Sequence, residues 1–311
     1  MTARFTVLAS GSCGNASLLE VNGFGVLIDV GLNPRELDSR LAAIGASWDN
    51  VHAAILTHTH TDHWKARTLS ALRTRRIPIY AHADHFEQIE GAAVSVTSLG
   101  KANLTREFGT EAILDLAPGL TCRPVWVSHD CDPTFAFRFD FHDGNGNGPA
   151  WSLGYAADLG CGSEELVDAF AGVEVLAIEY NHDVAMERAS RRPAFLVQRV
   201  LGDTGHLSNR QAAELTRSIA ARSGPAFPMH LVQLHLSQEC NHPMLAERAG
   251  RHALADLSPA AAVTTARQEA PARSISLGRH AHSARRTEVR PVRIATRELG
   301  SASLRPSLPG F

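Results

Sequence analysis

Cysteine is scarce and its spacing is uninformative: the five residues, at 13, 122, 131, 161 and 240, are odd in number and contain no Cys-x-x-Cys pair. A disulfide framework and a thiolate zinc knuckle are therefore both disfavoured. Lysine is nearly absent, with Lys65 and Lys101 the only two, so arginine carries almost all of the 30 basic residues. No excess of one charge exists either, because 32 acidic residues leave a net charge of −2, which argues against a strongly basic nucleic-acid binder. Long apolar runs are missing too. Nowhere do 18 uninterrupted apolar residues occur, and residues 1–10 begin a strand-like run without the basic region, apolar stretch or cleavage site of a secretory leader. A cytoplasmic protein with no membrane segment is expected. With 20% charged and 44% hydrophobic residues over 311 positions, the chain is no disordered polyelectrolyte and is long enough to bury a sizeable core.

The near-zero charge conceals a division. Residues 265–311 hold nine Arg against three Glu, a charge of +6, which leaves −8 on residues 1–264. That last segment is also rich in Ser, Pro, Ala and Gly and lacks apolar periodicity, so one domain over 1–264 followed by a flexible Arg-rich tail over 265–311 is expected. The tail is either a plain extension or a tether to nucleic acid or an acidic partner. Within the body, β-rich apolar runs fall at 5–9, 17–21, 25–29, 53–57, 77–81, 124–127, 135–141, 152–156, 173–178 and 231–236. Helical patterns fall at 34–44, at 163–170 behind Ser163, and at 209–221 behind Ser208 and Gln211 in capping-box spacing. Strands interspersed with helices in this way suggest an α/β fold of mixed sheets covered by helices on their outer faces.

Histidine is what the chain has in abundance, with 16 residues. The most informative segment is Ile55-Leu-Thr-His58-Thr-His60-Thr-Asp62-His63, where an apolar strand runs into four potential metal ligands. Alternation along an extended chain sends His58, His60 and Asp62 one way, and a turn beginning near Asp62 can swing Asp62 and His63 towards a second centre. Imidazole with carboxylate suits zinc, manganese or iron.

This string resembles the signature of the metallo-β-lactamase fold superfamily, whose fold is a four-layer αββα sandwich. The resemblance implies three further ligands downstream, and His129, Asp158 and His235 stand in that order at or near strand ends. It implies that His58, His60 and His129 hold one divalent ion, that Asp62, His63 and His235 hold a second, and that Asp158 bridges them. A closer similarity is to the YycJ/WalJ group. It rests on Ala9-Ser-Gly-Ser-Cys-Gly-Asn15, Leu27-Ile-Asp-Val-Gly31, Ser128-His-Asp130, Gly154-Tyr-Ala-Ala-Asp-Leu-Gly160, Asn181-His-Asp183, Gly205-His-Leu-Ser-Asn209 and His235-Leu-Ser-Gln-Glu-Cys-Asn-His242. It runs from about residue 5 to 255 and leaves out the Arg-rich tail. Cys13 and Cys240 depart from that pattern, and neither is an expected ligand.

Two ions about 3.5 to 4 Å apart can share a water, lower its pKa towards neutrality and present a bridging hydroxide as nucleophile. Superfamily members open lactams, cleave thioesters and hydrolyse phosphodiesters, so the surrounding groups must decide among them. Here they favour phosphate. His206 directly precedes the helix that begins near Ser208 and Asn209, where backbone N–H groups and the helix dipole favour an anion. His182 follows a strand and is a second phosphate contact or the general acid for the leaving oxygen. Asp62, His182 and His206 are thus the expected catalytic residues, and His182, His206, Ser208 and Asn209 the expected substrate contacts, with fold-stabilising hydrogen bonding the alternative for both histidines. Asp29, Asp130 and Asp183 are expected to orient neighbours rather than to ligate. The YycJ/WalJ resemblance implies a phosphodiesterase acting as a 5′-directed exonuclease on double-stranded DNA. A body charge of −8 would repel DNA, but two dications and the tail oppose it. A small-molecule or cyclic phosphodiesterase, a thioester hydrolase of the same fold, and a non-enzymatic metal-containing nucleic-acid-binding protein remain as alternatives.

Overall fold

Residues 2–90, 95–146, 148–225 and 227–278 are described by the structure, a computed structural model. In the first sheet, β1 (Ala3–Ala9), β2 (Ala16–Val21) and β3 (Phe24–Ile28) form an antiparallel meander, and β4 (Ala53–Ile55), β5 (Ile79–His82) and β6 (Thr105–Phe108) continue it in parallel. The crossovers carry α1 (Pro34–Ala43), α2 (Ala66–Arg75), α3 (Ala83–Glu90) and α4 (Ser95–Lys101). The second sheet opens with β7 (Leu114–Ala117), β8 (Leu120–Val127), β9 (Thr134–Phe141) and β10 (Trp151–Ala156), all antiparallel. It ends in β11 (Val175–Glu179), β12 (His230–Leu234) and β13 (Ala262–Thr265), parallel to β10. Between those last strands run α5 (Glu164–Phe170), α6 (Val184–Ala189), α7 (Ala194–Leu201), α8 (Asn209–Ser223) and α9 (Pro243–Leu254), and β14 (Ile275–Ser276) closes the described chain on the first sheet.

Period-two alternation decides where the core lies. The β9 sequence Thr-Phe-Ala-Phe-Arg-Phe-Asp-Phe sends Phe135, Phe137, Phe139 and Phe141 to one face, where they meet Phe5, Leu19, Trp151 and Tyr155 between the sheets. Each such burial is worth roughly 1.5–3 kcal/mol. The Val-Leu-Ala-Ile-Glu run of β11 is buried throughout, as expected of a parallel strand covered on both faces. Leu27, Leu37, Leu41, Leu69 and Leu72 pack on the outer face of the first sheet, and Leu166, Phe170, Leu176, Leu215 and Ile219 on that of the second. The result is the expected four-layer αββα sandwich. The helices expected at 34–44, 163–170 and 209–221 are α1, α5 and α8; Ser163 Oγ accepts from Leu166 N at 3.1 Å, and Ser208 with Gln211 completes the capping box.

The division expected at residue 264 differs from the structure. Residues 265–278 are not a loose tail: Ala266 and Leu277 are buried, Arg267 O accepts from Ser10 N at 3.1 Å, Ala272 N donates to Val7 O at 2.8 Å, and β14 pairs with β1. The segment covers what would otherwise be an open sheet edge along β1, a strand's standing liability. The rest of the expected tail, with His280, His282 and seven of its nine Arg, lies outside the described residues.

β4, β8, β10, β11 and β12 all end at one rim of the sandwich, because β8 runs alongside β10 with β9 reversed between them and the others are parallel within their sheets. Ligands of α/β proteins gather at such carboxyl ends of strands. Among the described residues no helix is long and apolar enough to cross a membrane.

Candidate metal centre

Two groups of ligand atoms come together at that rim. His58, His60, His129 and Asp158 place theirs within 4.8 Å of one another, and so do Asp62, His63, Asp158 and His235. Asp158 belongs to both: its Oδ2 lies 3.2 Å from His58 Nε2, 3.1 Å from His63 Nε2 and 3.7 Å from His129 Nε2, while its Oδ1 lies 3.0 Å from His235 Nδ1. The histidine segment leaves β4 extended and turns at residues 61–63, with His63 N donating to His60 O at 2.9 Å, which divides its residues between the two groups. Gly31 makes the close packing possible, since a Cβ there would meet Asp62 O at 1.7 Å. His235 and Asp29 adopt left-handed backbone conformations, with φ of 53° and 62°, a local strain common at functional sites.

Each imidazole is held from behind. Thr57 Oγ1 lies 3.0 Å from His58 Nδ1, Asp130 Oδ1 lies 3.5 Å from His60 Nε2, and His129 Nδ1 donates to Gly205 O at 2.9 Å. His63 Nδ1 donates to Asp29 Oδ2 at 2.7 Å, and Glu179 Oε1 lies 3.3 Å from His235 Nδ1. Such partners fix ring orientation and raise ligand basicity in metal sites. The donor set fits divalent metal: it combines imidazole with carboxylate, and the buried atoms His58 Nε2 and Asp158 Oδ1, though near Asp158 Oδ2 and His235 Nδ1, make no aligned hydrogen bond among the described residues.

The two groups differ electrostatically. Burial first, then the charge of His63, lowers the His58 pKa well below the ordinary value; burial and His129 lower His60, and burial lowers His129. Burial also works against protonation of His63 and His235, but the carboxylates outweigh it. Asp29, Asp158 and Asp62 hold His63 well above the ordinary value, and Asp158, Asp62 and Glu179 push His235 up to about 10. Burial alone would raise Asp158 and Asp62, yet the surrounding imidazoles hold both below the usual carboxylate range.

A cavity of about 350 Å³ opens onto this centre, with Ser12, His60, Asp62, Asp158, Arg199, His206 and His235 in its walls. A larger cleft of about 700 Å³ between α8 and α9 shares none of these residues. His206 stands in the cavity as expected, its Nδ1 donating to Glu179 Oε1 at 2.7 Å. The other expected substrate contacts do not. His182 is fully buried and outside the cavity wall; its carbonyl accepts from Asn209 N at 2.8 Å, and neither ring nitrogen has a hydrogen-bonding partner among the described residues. Ser208 spends its hydroxyl on Gln211, and Asn209 Nδ2 donates to Asn241 Oδ1 at 2.9 Å. The amides near the helix start are engaged as well, Asn209 N on His182 O and Gln211 N on Ser208 Oγ. Asp183 caps α6 rather than orienting His182, whereas Asp29 and Asp130 do stand beside the candidate ligands His63 and His60.

Three site residues escaped sequence reasoning. Glu179 takes His206 and His235 on Oε1 and the backbone amides of Leu159 and Leu207, each at 3.0 Å, on Oε2. With both oxygens so engaged it orients rather than ligates, although it lies within ligand distance of Asp158, His206 and His235. Its signal was present: a lone carboxylate closing an otherwise apolar strand. Asn15 Nδ2 reaches His63 Nε2 at 3.0 Å and Asp62 Oδ2 at 3.2 Å, and Arg199 pairs through Nε with Asp130. Asn15 is marked in the sequence only as the end of the Ala9–Asn15 motif, and Arg199 carries no local mark at all.

Residues 25–231 match the family described as Beta-lactamase superfamily domain. An exodeoxyribonuclease WalJ of Streptococcus pneumoniae is 30% identical over 241 residues, 77% of this chain and 85% of that protein. An exodeoxyribonuclease YycJ of Bacillus anthracis is 27% identical over 251 residues, 79% of this chain and 87% of its own length. Among solved structures, the metallo-beta-lactamase fold protein YhfI from Bacillus subtilis superposes with a TM-score of 0.62 at 16% identity, covering 89% of this chain and 100% of that one. Ligand order, sandwich and sequence similarity agree, and the chain belongs to the beta-lactamase superfamily as a YycJ/WalJ-like protein of the metallo-β-lactamase fold.

Proposed function

We propose that this protein is a metal-dependent phosphodiesterase acting as a nuclease on DNA, in the cytoplasm, with two divalent ions, zinc or manganese and alternatively iron, as its cofactor. His58, His60 and His129 would hold one ion, Asp62, His63 and His235 the other, with Asp158 shared. Bound there, such ions would generate a nucleophile from water at neutral pH and act as Lewis acid for the phosphoryl oxygen. The chain's own residues supply the rest. Asp62, besides ligating, accepts from Asn15 and so keeps its carboxylate facing the cavity. His206 carries the proton for the leaving oxygen: burial opposes its charge, but Glu179 raises its pKa, and the bond from Nδ1 to Glu179 leaves Nε2 for the substrate.

The observation that carries this reading is that His206, whose pKa Glu179 raises, and Arg199 both stand in the wall of the cavity beside the expected ligands, which suits an anionic substrate. The exodeoxyribonuclease names of the relatives add the DNA chain as that substrate. Reconstituted with zinc or manganese, the protein should cleave 5′-phosphorylated duplex DNA and a small phosphodiester faster than a thioester, and His206→Ala should cut phosphodiester turnover by about 100-fold or more. Equal turnover of the thioester, or a fully active His206→Ala, would overturn the reading.

A further inference from the structure

We propose that Phe195 and Arg199 form a nucleotide-reading rim: Arg199 takes an oxygen of the phosphate beside the scissile bond, and Phe195 stacks on the adjoining base. The inference rests on the phosphodiesterase reading and extends it by naming the residues that make a polynucleotide end a better substrate than a bare diester.

The two side chains lie four residues apart on α7, hence on one face with their Cβ atoms about 5–6 Å apart. Arg199 belongs to the cavity wall with Asp158, His206 and His235, and its side chain is 52% exposed. It meets Asp130 through Nε. An arginine has five N–H donors in a planar fork, so this side-on pairing leaves the terminal amino groups to meet a phosphate. One turn of α7 from Arg199 and outside the lining of the cavity, Phe195 is 73% exposed, a large apolar ring in solvent. Residues 184–201 hold Arg188, Arg191, Arg192 and Arg199 against one acid of their own, the buried Glu187; Arg192 pairs with Glu187 at 3.1 Å and Glu239 at 2.9 Å and Arg199 with Asp130, so Arg188 and Arg191 add the positive charge that favours a polyanion. Aromatic rings beside cationic side chains are how proteins hold single-stranded ends, because every base offers a face to stack on.

The rim is also fastened to the chemistry. His206 N donates to Val200 O at 3.0 Å, and His129 Nδ1 donates to Gly205 O at 2.9 Å. Gly205 sits so close under α7 that a Cβ would come within 2.0 Å of Arg199 O. The end of α7 is thereby tied to two site histidines, and its distance from the reacting phosphate is set by the fold.

The test compares steady-state cleavage of a 5′-phosphorylated oligonucleotide and of methyl p-nitrophenyl phosphate by the metal-loaded protein. Phe195→Ala should raise KM for the oligonucleotide about tenfold with metal content and melting temperature as in the parent, and should lower the oligonucleotide to small-diester ratio of kcat/KM. Phe195→Trp should restore that KM and Phe195→Leu should not. Met244→Ala, which removes an equally exposed apolar side chain from α9, should leave it as in the parent. An oligonucleotide KM within twofold of the parent for Phe195→Ala, or full rescue by leucine, would overturn the proposal. Failure of the parent protein to cleave either substrate would instead overturn the phosphodiesterase reading.

Discussion

His58, His60 and His129 sit in surroundings that keep their imidazoles neutral, whereas His63 and His235, in the other ligand set, sit among carboxylates that keep theirs protonated while no metal is bound. The contrast follows from composition. The first set draws three histidines and a single shared carboxylate into a buried site, so desolvation dominates; the second adds Asp62, with Asp29 and Glu179 behind it. A cation meets neutral donors in the first set and must displace protons from the second. Ion affinity and ion exchange should therefore be unequal across one centre.

Asp158 is where the contrast is easiest to break, because it serves both sets. Asp158→Ala should abolish stable metal binding at both and lower turnover by more than about 100-fold, a loss beyond that of removing a supporting partner alone. His60→Ala should empty only the first. Metal content by atomic absorption after dialysis distinguishes the two, and retention of one ion at parental affinity by Asp158→Ala would show that the carboxylate is not shared.

A smaller effect comes from pH. His235 has a folded-state pKa of about 10 without metal, above the ordinary value of about 6.5. Its contribution to the metal-free fold is therefore complete below about pH 6.5 and is lost as pH rises through about 10, and His63 acts in the same direction. A metal held by His63 and His235 would remove that dependence, because both rings would ligate in their unprotonated form. The gain in melting temperature on adding metal should hence grow between pH 6.5 and 10, and calorimetry in buffers of different ionisation enthalpy should assign most of the released protons to the second set. A gain that stays flat across this window would remove the asymmetry.

How much of this was legible in the chain depends on the range of the contacts. The seven expected ligand residues come together because four of them share the segment after β4 and His129, Asp158 and His235 follow β8, β10 and β12, and strand ends at one rim converge whatever the loops do. His182, Ser208 and Asn209 were misplaced because their neighbourhood to His206 is sequential, whereas access to the cavity is tertiary: the turn after β11 buries His182, and Ser208 and Asn209 pair within the fold. The strap over 265–278 looks like tail in the sequence because Arg, Ser and Pro around it hide the short apolar alternation of Ser274-Ile-Ser-Leu277, whose partner strand begins at Ala3.

That strap supplies the finest test of the comparison. Gln268 accepts from Cys13 N at 2.9 Å through Oε1 and donates from Nε2 to Gly14 O at 2.8 Å, so it grips the loop whose next residue, Asn15, reaches Asp62 and His63. Both of those belong to the second set and neither to the first. Gln268→Ala removes two hydrogen bonds worth about 1 kcal/mol each at most, since the side chain is only half-buried. Metal affinity of the second set should fall by a few-fold while that of the first stays as in the parent, measured by competition with a chelator. An equal fall at both would mean that the strap stabilises the sandwich as a whole and has no preferential hold on one half of the centre.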